Sequence, residues 1–551
     1  MQLLIPSAKI VNEELQSIGK LPAIIYPVNQ GIVFDYLLKQ YDSACSDITI
    51  VCYERAAHVH QRLESYPIKK LNLIDLPSLG DLGHTIYYGL KEMHLPVIIN
   101  FADTIVFDNI FDNVPDSFYY SEDYRSETWT YFRMEEGYIS EIFDKQDARL
   151  TNNTQEKLFV GVFSISDSAD FRACLEQSFN DQNEHISSFY RALQLYSTRH
   201  PMQAIKTDNW FDIGHIDKYY SSKLEVKARE FNHIVIDKNR GILRKTSDDK
   251  DKFIGEIKWY LKLPKDIEYV RPRIFSYSTS YSDPYVSMEY YAYHTVHELF
   301  LYGDLSYQQW IDIFKRIRFV CDDFRRYRVT DDNLTKSLEE MYLTKTIQRF
   351  EKLQKDNRFS SFFDKNITVN DKKYLSLTQI ISLLKTRIPE LLYDIKEFNI
   401  IHGDLCFANI MIDGNLSFIK VIDPRGKFGD YDIYGDFRYE LAKLFHSIDG
   451  KYDFIIKDLF SIEYDPVQAV INFQISDRKR GFDIYKLFTE IFSEQIGCDL
   501  KKVELIEALL FLSMIPLHNE SIRHQMAMLG TGIEILNRVI DISDEEIQGA
   551  Q

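Results

Sequence analysis

Two neighbouring stretches decide how this chain is interpreted: Ile400-Ile-His-Gly-Asp-Leu-Cys-Phe-Ala-Asn409 and Phe418-Ile-Lys-Val-Ile-Asp-Pro-Arg-Gly426. Asp404 and Asn409 stand five residues apart in the first stretch, and Asp423 follows the apolar run of the second. Phosphoryl transfer from a nucleoside triphosphate uses such a set: one carboxylate orients the acceptor hydroxyl, while an amide and a second carboxylate hold magnesium. The residue types therefore favour a phosphoryl-transfer site.

The residues around these side chains read as short β-strands. We predict strands over 399–401, 410–412 and 418–422, with Asp413-Gly414-Asn415 as the turn between the last two. Such a hairpin would hold the loop rigidly enough for a metal site.

The pattern His402-Gly-Asp404-x-x-x-x-Asn409, followed by Ile422-Asp423, resembles the catalytic and metal loops of the aminoglycoside phosphotransferase and choline kinase group. That group is a branch of the protein-kinase-like fold. The resemblance implies that Asp404 is the catalytic base, that Asn409 and Asp423 bind magnesium, and that His402 is a buried brace. A surface loop carrying these residues by chance is the alternative, which the flanking apolar strands disfavour. Asp-Pro-Arg-Gly replaces the Asp-Phe-Gly of protein kinases.

Length and charge limit the remaining possibilities. The 551 residues predict two to four domains. The net charge of −18 argues against a nucleic-acid partner or an anionic membrane surface, although a local basic patch could hold a nucleotide. Six scattered cysteines favour reduced thiols and a cytoplasmic location. The N-terminus does not resemble a signal peptide, and the apolar run 508–517 is too short to span a bilayer. The chain could also form a homo-oligomer.

The first 220 residues alternate apolar runs with helical stretches, which predicts an α/β sheet covered on both faces. We expect strands at residues 2–5, 47–53, 71–75, 97–101 and 158–165. Ligands of such sheets bind at the carboxyl ends of the strands.

Four segments of this half resemble sugar-phosphate nucleotidyltransferases, which share a Rossmann-like, GT-A-type mixed sheet with glycosyltransferases. The segments are 21–29, 79–88, 97–103 and 210–214. The resemblance implies that Asp103 and Asp212 bind a metal, and that Gly80 and Gly83 lie against a nucleotide base. Two carboxylates at separate strand ends can share one magnesium that bridges the phosphates.

Two departures from that family leave the activity of this half open. Residues 6–12 lack the glycine-rich phosphate loop, and Ala23 stands where the family has a lysine. One alternative is that this half has no catalytic activity and binds a sugar phosphate or a partner. Another is that it transfers a glycosyl group. Taken singly, Asp103 could cap a strand end, Asp212 could cap a following helix, and the two glycines could form an ordinary turn.

The second half begins with a predicted hairpin over 231–246 and a helix over 253–260. Lys245 occupies the place of the strand lysine of kinase-like sites, and Glu256 is placed to pair with it. Arg244, Lys250 and Lys252 compete for the role of Lys245.

Residues 285–291 read as the strand and hinge that would bind adenine, with Glu289 among the nucleotide-binding residues, although a plain buried strand fits this pattern equally well. Asp436 resembles the aspartate that braces the catalytic loop from behind in these kinases. Residues 305–350, 376–395 and 452–541 are predicted to be helical.

These observations predict a nucleotidyltransferase-like domain over 1–224 and a two-lobed α+β kinase-like domain over 225–551, with its small lobe at about 225–295 and its large lobe at about 296–551. The fusion implies that a small hydroxyl compound, a sugar or an amino alcohol, is phosphorylated with ATP and Mg²⁺. The phosphate would then be activated with CTP or another nucleotide, for surface-polysaccharide assembly. A kinase with an inactive N-terminal domain is the alternative.

Overall fold

The structure is a computed structural model. It describes residues 1–28, 31–41, 45–64, 66, 70–94, 96–108, 116–122, 129–145, 156–180, 186–213, 232–237, 239–477, 480–497 and 499–540. The chain divides into two compact units, Met1–Glu225 and Val226–Gln551. The predicted boundary after residue 224 lies outside the described residues, as does the helix predicted to follow Asp212.

The first unit is a mixed α/β structure. Its described strands are β1 (Gln2–Ser7), β2 (Pro27–Val28), β3 (Gly31–Ile32), β4 (Asp47–Cys52), β5 (Leu71–Asp75), β6 (Val97–Asn100), β7 (Thr104–Val106), β8 (Ser117–Ser121), β9 (Thr130–Glu135), β10 (Tyr138–Asp144), β11 (Glu156–Ile165), β12 (Gln203–Lys206) and β13 (Trp210–Asp212). Its described α-helices are α1 (Val33–Tyr41), α2 (Ala56–Leu63), α3 (Leu82–Leu90), α4 (Ser168–Phe179) and α5 (Ser188–Arg199).

The main sheet of this unit joins a parallel half to an antiparallel half. Its path runs β10-β9-β11-β6-β1-β4-β5, with β8 beside β11 and β12 beside β8. Strands β6, β1, β4 and β5 pair in parallel with one another, whereas β11 pairs antiparallel with β6, β8 and β9. The apolar runs predicted as strands all lie in this sheet.

Phenylalanines from the sheet fill the core beneath it. Phe118, Phe132, Phe159 and Phe163 are each less than 5% exposed, and Phe132 stacks on Phe159 with ring centroids 4.9 Å apart. Helices α3, α4 and α5 pack on this face. The high phenylalanine content of the chain is therefore used, in part, to pack the sheet.

The second unit combines small sheets with many helices. Its described strands are β14 (Asn232–Asp237), β15 (Ile242–Ser247), β16 (Ile274–Ser278), β17 (Tyr285–Glu289), β18 (His294–Thr295), β19 (Arg328–Val329), β20 (Ile367–Val369), β21 (Lys372–Tyr374), β22 (Phe398–Ile400), β23 (Ile410–Ile412), β24 (Ile419–Val421), β25 (Tyr434–Gly435), β26 (Phe460–Asp465) and β27 (Val470–Ile475). The first sheet has the order β14-β15-β17-β16, and all its pairs are antiparallel.

The described α-helices of this unit are α6 (Lys250–Lys262), α7 (Val296–Leu301), α8 (Tyr307–Arg325), α9 (Leu334–Leu338), α10 (Lys345–Gln354), α11 (Ser360–Asp364), α12 (Leu377–Leu392), α13 (Phe437–Ile448), α14 (Tyr452–Ile456), α15 (Ile484–Ile491), α16 (Ser493–Ile496), α17 (Leu500–Met514) and α18 (Ile522–Ile540). A π-helical turn, Glu339–Thr344, joins α9 to α10. Thr295, Ser306 and Ser376 begin their helices with capping boxes, which satisfy backbone N–H groups that a first turn leaves free.

One prediction for this unit was wrong. Residues 452–541 are not helical throughout, because β26 and β27 form a hairpin that joins β20 and β21 in a second sheet. Burial alternates along Phe460–Asp465 with a period of two residues, which is the pattern of a half-buried strand. Across the described ranges, no helix combines the length and apolar character that a membrane crossing requires.

Candidate functional site

The predicted hairpin around the Asp404 loop is present. Strand β22 leads into the loop, β23 and β24 pair antiparallel after it, and the Asp413 carboxylate accepts hydrogen bonds from the N–H groups of Ser417 and Phe418. The Ile422 N–H donates to the Asn409 carbonyl at 3.0 Å. This bond brings Asp423, the next residue, beside Asn409.

Lys245 lies at the centre of a buried charge cluster. Its ammonium is 2.9 Å from both carboxylate oxygens of Glu256 and 2.8 Å from Oδ1 of Asp423. Burial opposes the charge of Lys245, but Asp423 and Glu256 outweigh it and raise its pKa. Burial also raises the pKa of Glu256 to about 7, against the opposing effect of Lys245. The contact predicted from sequence spacing is therefore present.

The cations that competed with Lys245 for this role lie elsewhere. The Arg244 guanidinium carbon is 3.7 Å from the centroid of the Tyr285 ring, and Lys250 donates to the Ser282 carbonyl at 3.2 Å. Lys252 is exposed. Lys245 is thus the residue that matches the prediction.

Helix α6 attaches this cluster to the loops. Trp259 Nε1 donates to the Ile401 carbonyl at 2.7 Å, and the Tyr260 hydroxyl accepts a hydrogen bond from the Asp423 N–H at 3.0 Å. At Gly426, whose φ is +64°, an added Cβ would lie 2.1 Å from the Gly255 carbonyl oxygen. The glycine therefore lets the loop after Asp423 approach the helix that carries Glu256.

Asp423 itself adopts the left-handed conformation, with φ of +57°. Few residues other than glycine do so, and asparagine and aspartate tolerate it best. The side chain is half exposed, and its Oδ1 contacts Lys245. A conformation of this kind at a loop that bears a carboxylate is typical of a functional position.

Asp404 and Asn409 are in direct contact. The Asn409 amide nitrogen donates to the backbone carbonyl of Asp404 at 2.9 Å and to its Oδ2 at 3.2 Å. This arrangement directs the amide oxygen of Asn409 away from Asp404. It leaves that oxygen and the second carboxylate oxygen of Asp423 as the hard oxygen ligands that magnesium prefers.

The described residues fit a magnesium ion that is held partly by a substrate. No group of three or more His, Cys, Asp or Glu side chains within the described ranges is placed to hold a metal. Magnesium commonly binds one or two protein carboxylates and completes its shell with water and phosphate oxygens. Asn409 and Asp423 are the residues that could supply the protein ligands of such a site.

One face of helix α13 contacts the Asp404 loop through several polar side chains. These contacts were not predicted from the sequence. Glu440 accepts hydrogen bonds from the N–H groups of His402 at 2.6 Å and Gly403 at 3.0 Å. The Lys443 ammonium lies 2.9 Å from Asp404 Oδ1. Ser447 accepts a hydrogen bond from a third point of the loop, the N–H of Phe407. The three side chains are spaced i, i+3 and i+7, so that they share one helix face.

The charges on this face are buried. Burial opposes the positive charge of Lys443, yet Asp404 raises its pKa above the ordinary lysine value. Burial raises the pKa of Glu440 to about 8, although the two N–H donors act in the other direction. All twelve residues of α13 are buried. Polar residues that recur at helical spacing within an otherwise apolar helix are the sequence signal that could have predicted this contact with the loop.

Asp436 has a different environment from the one predicted. It caps α13, and its carboxylate accepts hydrogen bonds from the Arg438 side chain and the Tyr342 hydroxyl. Among the described residues, the carboxylate bonded to the backbone of the loop is that of Glu440. Asp436 therefore orients the helix that grips the loop, rather than the loop itself.

His402 is fully buried and packs edge-on against Trp259. Burial lowers its pKa to about 4, so that it is neutral at physiological pH. This placement agrees with a structural brace.

The hinge differs from the prediction in one respect. The N–H of Glu289 donates to the Arg273 carbonyl, and the N–H of Tyr290 donates to the Gly241 carbonyl. The Glu289 side chain accepts the Tyr291 hydroxyl. Neither N–H is thus available to a bound base, so a backbone donor to adenine would have to follow Tyr290.

In the first unit the backbones of Asp103 and Asp212 lie on neighbouring segments. Strand β13 pairs with β7 so that Asp212 lies opposite Thr104, and the Ile213 N–H donates to the Asp103 carbonyl at 2.8 Å. Asp212 is 5% exposed. Gly214, the last residue of the predicted motif, lies outside the described residues.

Gly80 and Gly83 have packing roles. A Cβ at Gly83 would lie 2.2 Å from the Ser188 hydroxyl oxygen, where α3 meets α5. A Cβ at Gly80 would lie 2.7 Å from the Cβ of His84. Asp81, between them, caps α3 and accepts hydrogen bonds from Ser188. These contacts explain both glycines without a nucleotide.

The chain matches no protein-family model and no curated protein. Its N-terminal part, about 40% of the chain, matches solved structures of sugar-phosphate nucleotidyltransferases. One is a nucleoside-diphosphate-sugar pyrophosphorylase from Vibrio cholerae RC9, with 12% identity, 40% of this chain and 99% of that chain covered, and a TM-score of 0.33.

Two further matches are cytidylyltransferases. CTP:phosphocholine cytidylyltransferase from Streptococcus pneumoniae has 13% identity, with 40% of this chain and 96% of that chain covered and a TM-score of 0.32. The inositol-1-phosphate CTP transferase from T. maritima has 13% identity, with 41% and 98% covered and a TM-score of 0.30.

Proposed function

We propose that the chain is a cytoplasmic, bifunctional enzyme whose second unit is a protein-kinase-like small-molecule kinase. This unit transfers the γ-phosphoryl group of ATP to the hydroxyl of a small molecule, a sugar or an amino alcohol. The observation that carries the proposal is the convergence of five side chains from distant parts of the unit: Lys245, Glu256, Asp404, Asn409 and Asp423. Chance would rarely bring side chains of these types from a strand, a helix and two loops to one place.

Each residue has a role in the proposed site. Lys245, fixed by Glu256, holds the α- and β-phosphates, and Asn409 and Asp423 hold magnesium. The ion, when bound, neutralises charge on the phosphates. Asp404, held by Lys443 and Asn409, orients the acceptor hydroxyl.

The reaction balances as a phosphoryl transfer to an alcohol. The hydroxyl oxygen forms a bond to the γ-phosphorus, and the bond from that phosphorus to the β,γ-bridging oxygen breaks. ADP leaves with the bridging oxygen. The hydroxyl proton passes to Asp404 and then to solvent, and the second product is a phosphomonoester.

The test uses the full chain with ATP, magnesium and a panel of sugars and amino alcohols, with products followed by phosphorus NMR. Asp404→Asn keeps the shape of the side chain but removes its negative charge, so turnover should fall by about a thousand-fold or more. Asp364→Asn, an exposed change at the end of α11, is the matched control and should leave turnover unchanged. Full turnover in folded Asp404→Asn would reject the proposal.

We further propose that the first unit activates the resulting phosphate as a nucleotide diester, with CTP or another nucleotide. The pairing of β7 with β13, which puts the backbones of Asp103 and Asp212 on neighbouring segments, supports this function. Carboxylates from these two segments could hold the magnesium that assists departure of pyrophosphate. A kinase followed by such a transferase would make an activated building block for surface polysaccharide.

Pyrophosphate release measures this second activity. We expect release from CTP, or from another nucleotide in a panel, only with the phosphorylated acceptor, and loss of release in Asp103→Asn. Asp208→Asn, whose side chain is 76% exposed, is the control. Release of a nucleoside diphosphate instead would identify a glycosyltransferase. Absence of release and of metal-dependent nucleotide binding would leave the unit as a binding domain.

A further inference from the structure

Arg425 lies beside the Asp404 loop, and the charges of Lys345 and Lys427 act in the same region as that of Arg425. The proposed function uses none of these three residues. Arg425 is two residues beyond Asp423. Its N–H donates to the His402 carbonyl at 3.0 Å, and its Cβ lies 3.0 Å from the position that a Cβ would take at Gly403. The side chain of Arg425 therefore starts in contact with the residue that precedes Asp404.

The Arg425 guanidinium has a neutral partner. It donates to the Tyr439 hydroxyl at 2.6 Å, and the guanidinium carbon is 5.8 Å from the centroid of that ring. Among the described residues, no carboxylate forms an ion pair with Arg425 or with the exposed Lys427. The nearby Asp430 is already paired with Lys336 at 2.8 Å.

Lys345 is the third cation, and its environment is unfavourable to its charge. Its side chain is 33% exposed, and its ammonium lies 3.6 Å from Glu340 Oε1. Burial, followed by the charges of Arg425 and Lys427, lowers the pKa of Lys345 to about 8, although Glu340 acts in the opposite direction. The charge of Arg425 thus opposes the charge of Lys345.

The position of Lys345 gives a second indication. It is the first residue of α10 and follows the π-helical turn Glu339–Thr344 directly. Such turns are rare, and they occur often at functional sites because they displace a side chain from regular helical register. Here the irregular turn precedes the lysine whose charge Arg425 opposes.

A cluster of cations with one carboxylate between them is unfavourable unless it binds an anion. In the proposed site the phosphates of ATP already meet Lys245 and the ligands of magnesium. Arg425, by contrast, packs against Gly403, the residue before the Asp404 that orients the acceptor hydroxyl. Lys345 belongs to a helix remote in sequence from the strand of Lys245.

We propose that Arg425, Lys345 and Lys427 bind an anionic group of the acceptor, so that the physiological acceptor is a hydroxyl compound bearing a carboxylate or a phosphate rather than an amino alcohol. An arginine with free donors can bind either group with two parallel hydrogen bonds. This inference rests on the proposed kinase activity of the same loop.

Paired acceptors that differ in the anionic group test the inference with the full chain. Suitable pairs are glycerol with glycerate and with glycerol phosphate, and glucose with glucuronate and with glucose 6-phosphate, together with choline and ethanolamine. We expect kcat/KM to be at least about ten-fold higher for an anionic member than for its neutral partner. A preference for neutral or cationic acceptors would overturn the inference while leaving the kinase proposal intact, whereas absence of ADP formation with every acceptor would count against the kinase proposal.

The variant Arg425→Gln tests whether the preference for anionic acceptors depends on Arg425, Lys345 and Lys427. The acceptor KM should rise by about ten-fold or more, with the ATP KM changed by less than about two-fold. Arg425→Lys should restore part of the loss, which would show that charge rather than folding is responsible. Arg387→Gln is the matched control, because Arg387 is 42% exposed and pairs with Glu390 on the same helix. A rise in the ATP KM instead would assign the cluster to the nucleotide and overturn the inference.

Binding of inorganic phosphate gives a readout that does not depend on turnover. Calorimetry on the full chain, at constant ionic strength and with a non-hydrolysable ATP analogue and magnesium present, should show phosphate binding that Arg425→Gln weakens by about ten-fold. Equal phosphate affinity in the two proteins would refute an anion site at Arg425.

Discussion

Replacement of Lys443 by methionine tests whether helix α13 sets the position of Asp404. Methionine is similar in length and is tolerated in a buried helix, so the change removes mainly the charge. At an N···O distance of 2.9 Å and an effective dielectric constant of about 20, the attraction between Lys443 and Asp404 is about 6 kcal/mol. Asp404 is 32% exposed, so water replaces part of this interaction when the lysine is lost.

The remaining effect should appear in the rate. If about 2–3 kcal/mol of the attraction acts to hold Asp404 in its reactive orientation, kcat should fall by about 30- to 150-fold. The ATP KM should change by less than about two-fold, because Lys245 and Asp423 stay in place. Stability should also fall, because the raised pKa of Lys443 means that its attraction to Asp404 outweighs the cost of burying the ammonium, and the variant leaves Asp404 without this partner.

Steady-state kinetics with the acceptor found in the panel, together with thermal unfolding, measures both quantities. Lys486→Met is the matched control, because its side chain is 73% exposed and lies in α15. In the double variant Asp404→Asn/Lys443→Met, the second change should add little to the first, since the two side chains act as a unit. An unchanged kcat in folded Lys443→Met would refute the positioning role of α13.

Three further predictions concern stability. The pKa of His402 is about 4 in the folded chain, against 6.5 for an unperturbed histidine, so the unfolded chain takes up the proton first. The free energy of unfolding should therefore fall by about 3 kcal/mol as the pH drops from about 6.5 to 4. In urea unfolding, His402→Leu should lose less stability over this pH range, and an equal loss would contradict the prediction. Gly426→Ala should destabilise the fold by more than about 2 kcal/mol and weaken ATP binding, because its Cβ would meet α6. Gly241→Ala, with a similar φ of +63° and open space, should cost only about 1 kcal/mol in the same calorimetric assays, and equal effects would refute the packing argument. The folded state opposes protonation of Lys345, whose pKa is about 8, so Lys345→Met should stabilise the chain at neutral pH by about 1–2 kcal/mol after allowance for its exposure, while the acceptor KM rises.

Local patterns predicted the parts of the site that depend on nearby residues. The hairpins at β14–β15 and β23–β24 follow from turn residues between apolar runs, and the contact of Lys245 with Glu256 follows from a strand, a short turn and a helix. Each of these features requires contacts between residues close in the chain. Such contacts are the ones that sequence periodicity encodes directly.

Features that depend on distant residues were not predicted. The positive φ of Asp423 arises from its contacts with Tyr260 and Lys245, which are more than 150 residues away. Glu440 and Lys443 gain their roles because α13 packs behind the loop, and Asp436 was assigned the role that Glu440 has. A carboxylate near the right place in a sequence motif does not reveal which hydrogen-bond donor it will meet in the fold.

The charge of the whole chain was a poor guide to the charge of its candidate site. A net charge of −18 suggested a surface that repels anions. The site nevertheless gathers Lys245, Lys443, Lys345 and Arg425. Lys245 and Lys443 have carboxylate partners at 2.8–2.9 Å, Lys345 has only Glu340 at 3.6 Å, and Arg425 donates to the Tyr439 hydroxyl instead of to an acid. Since a buried or half-buried cation costs free energy unless it is neutralised, the acids missing from this cluster indicate where an anionic ligand belongs. In an acidic protein, a cation at the site without a close acidic partner therefore carries more information about the substrate than the total charge does.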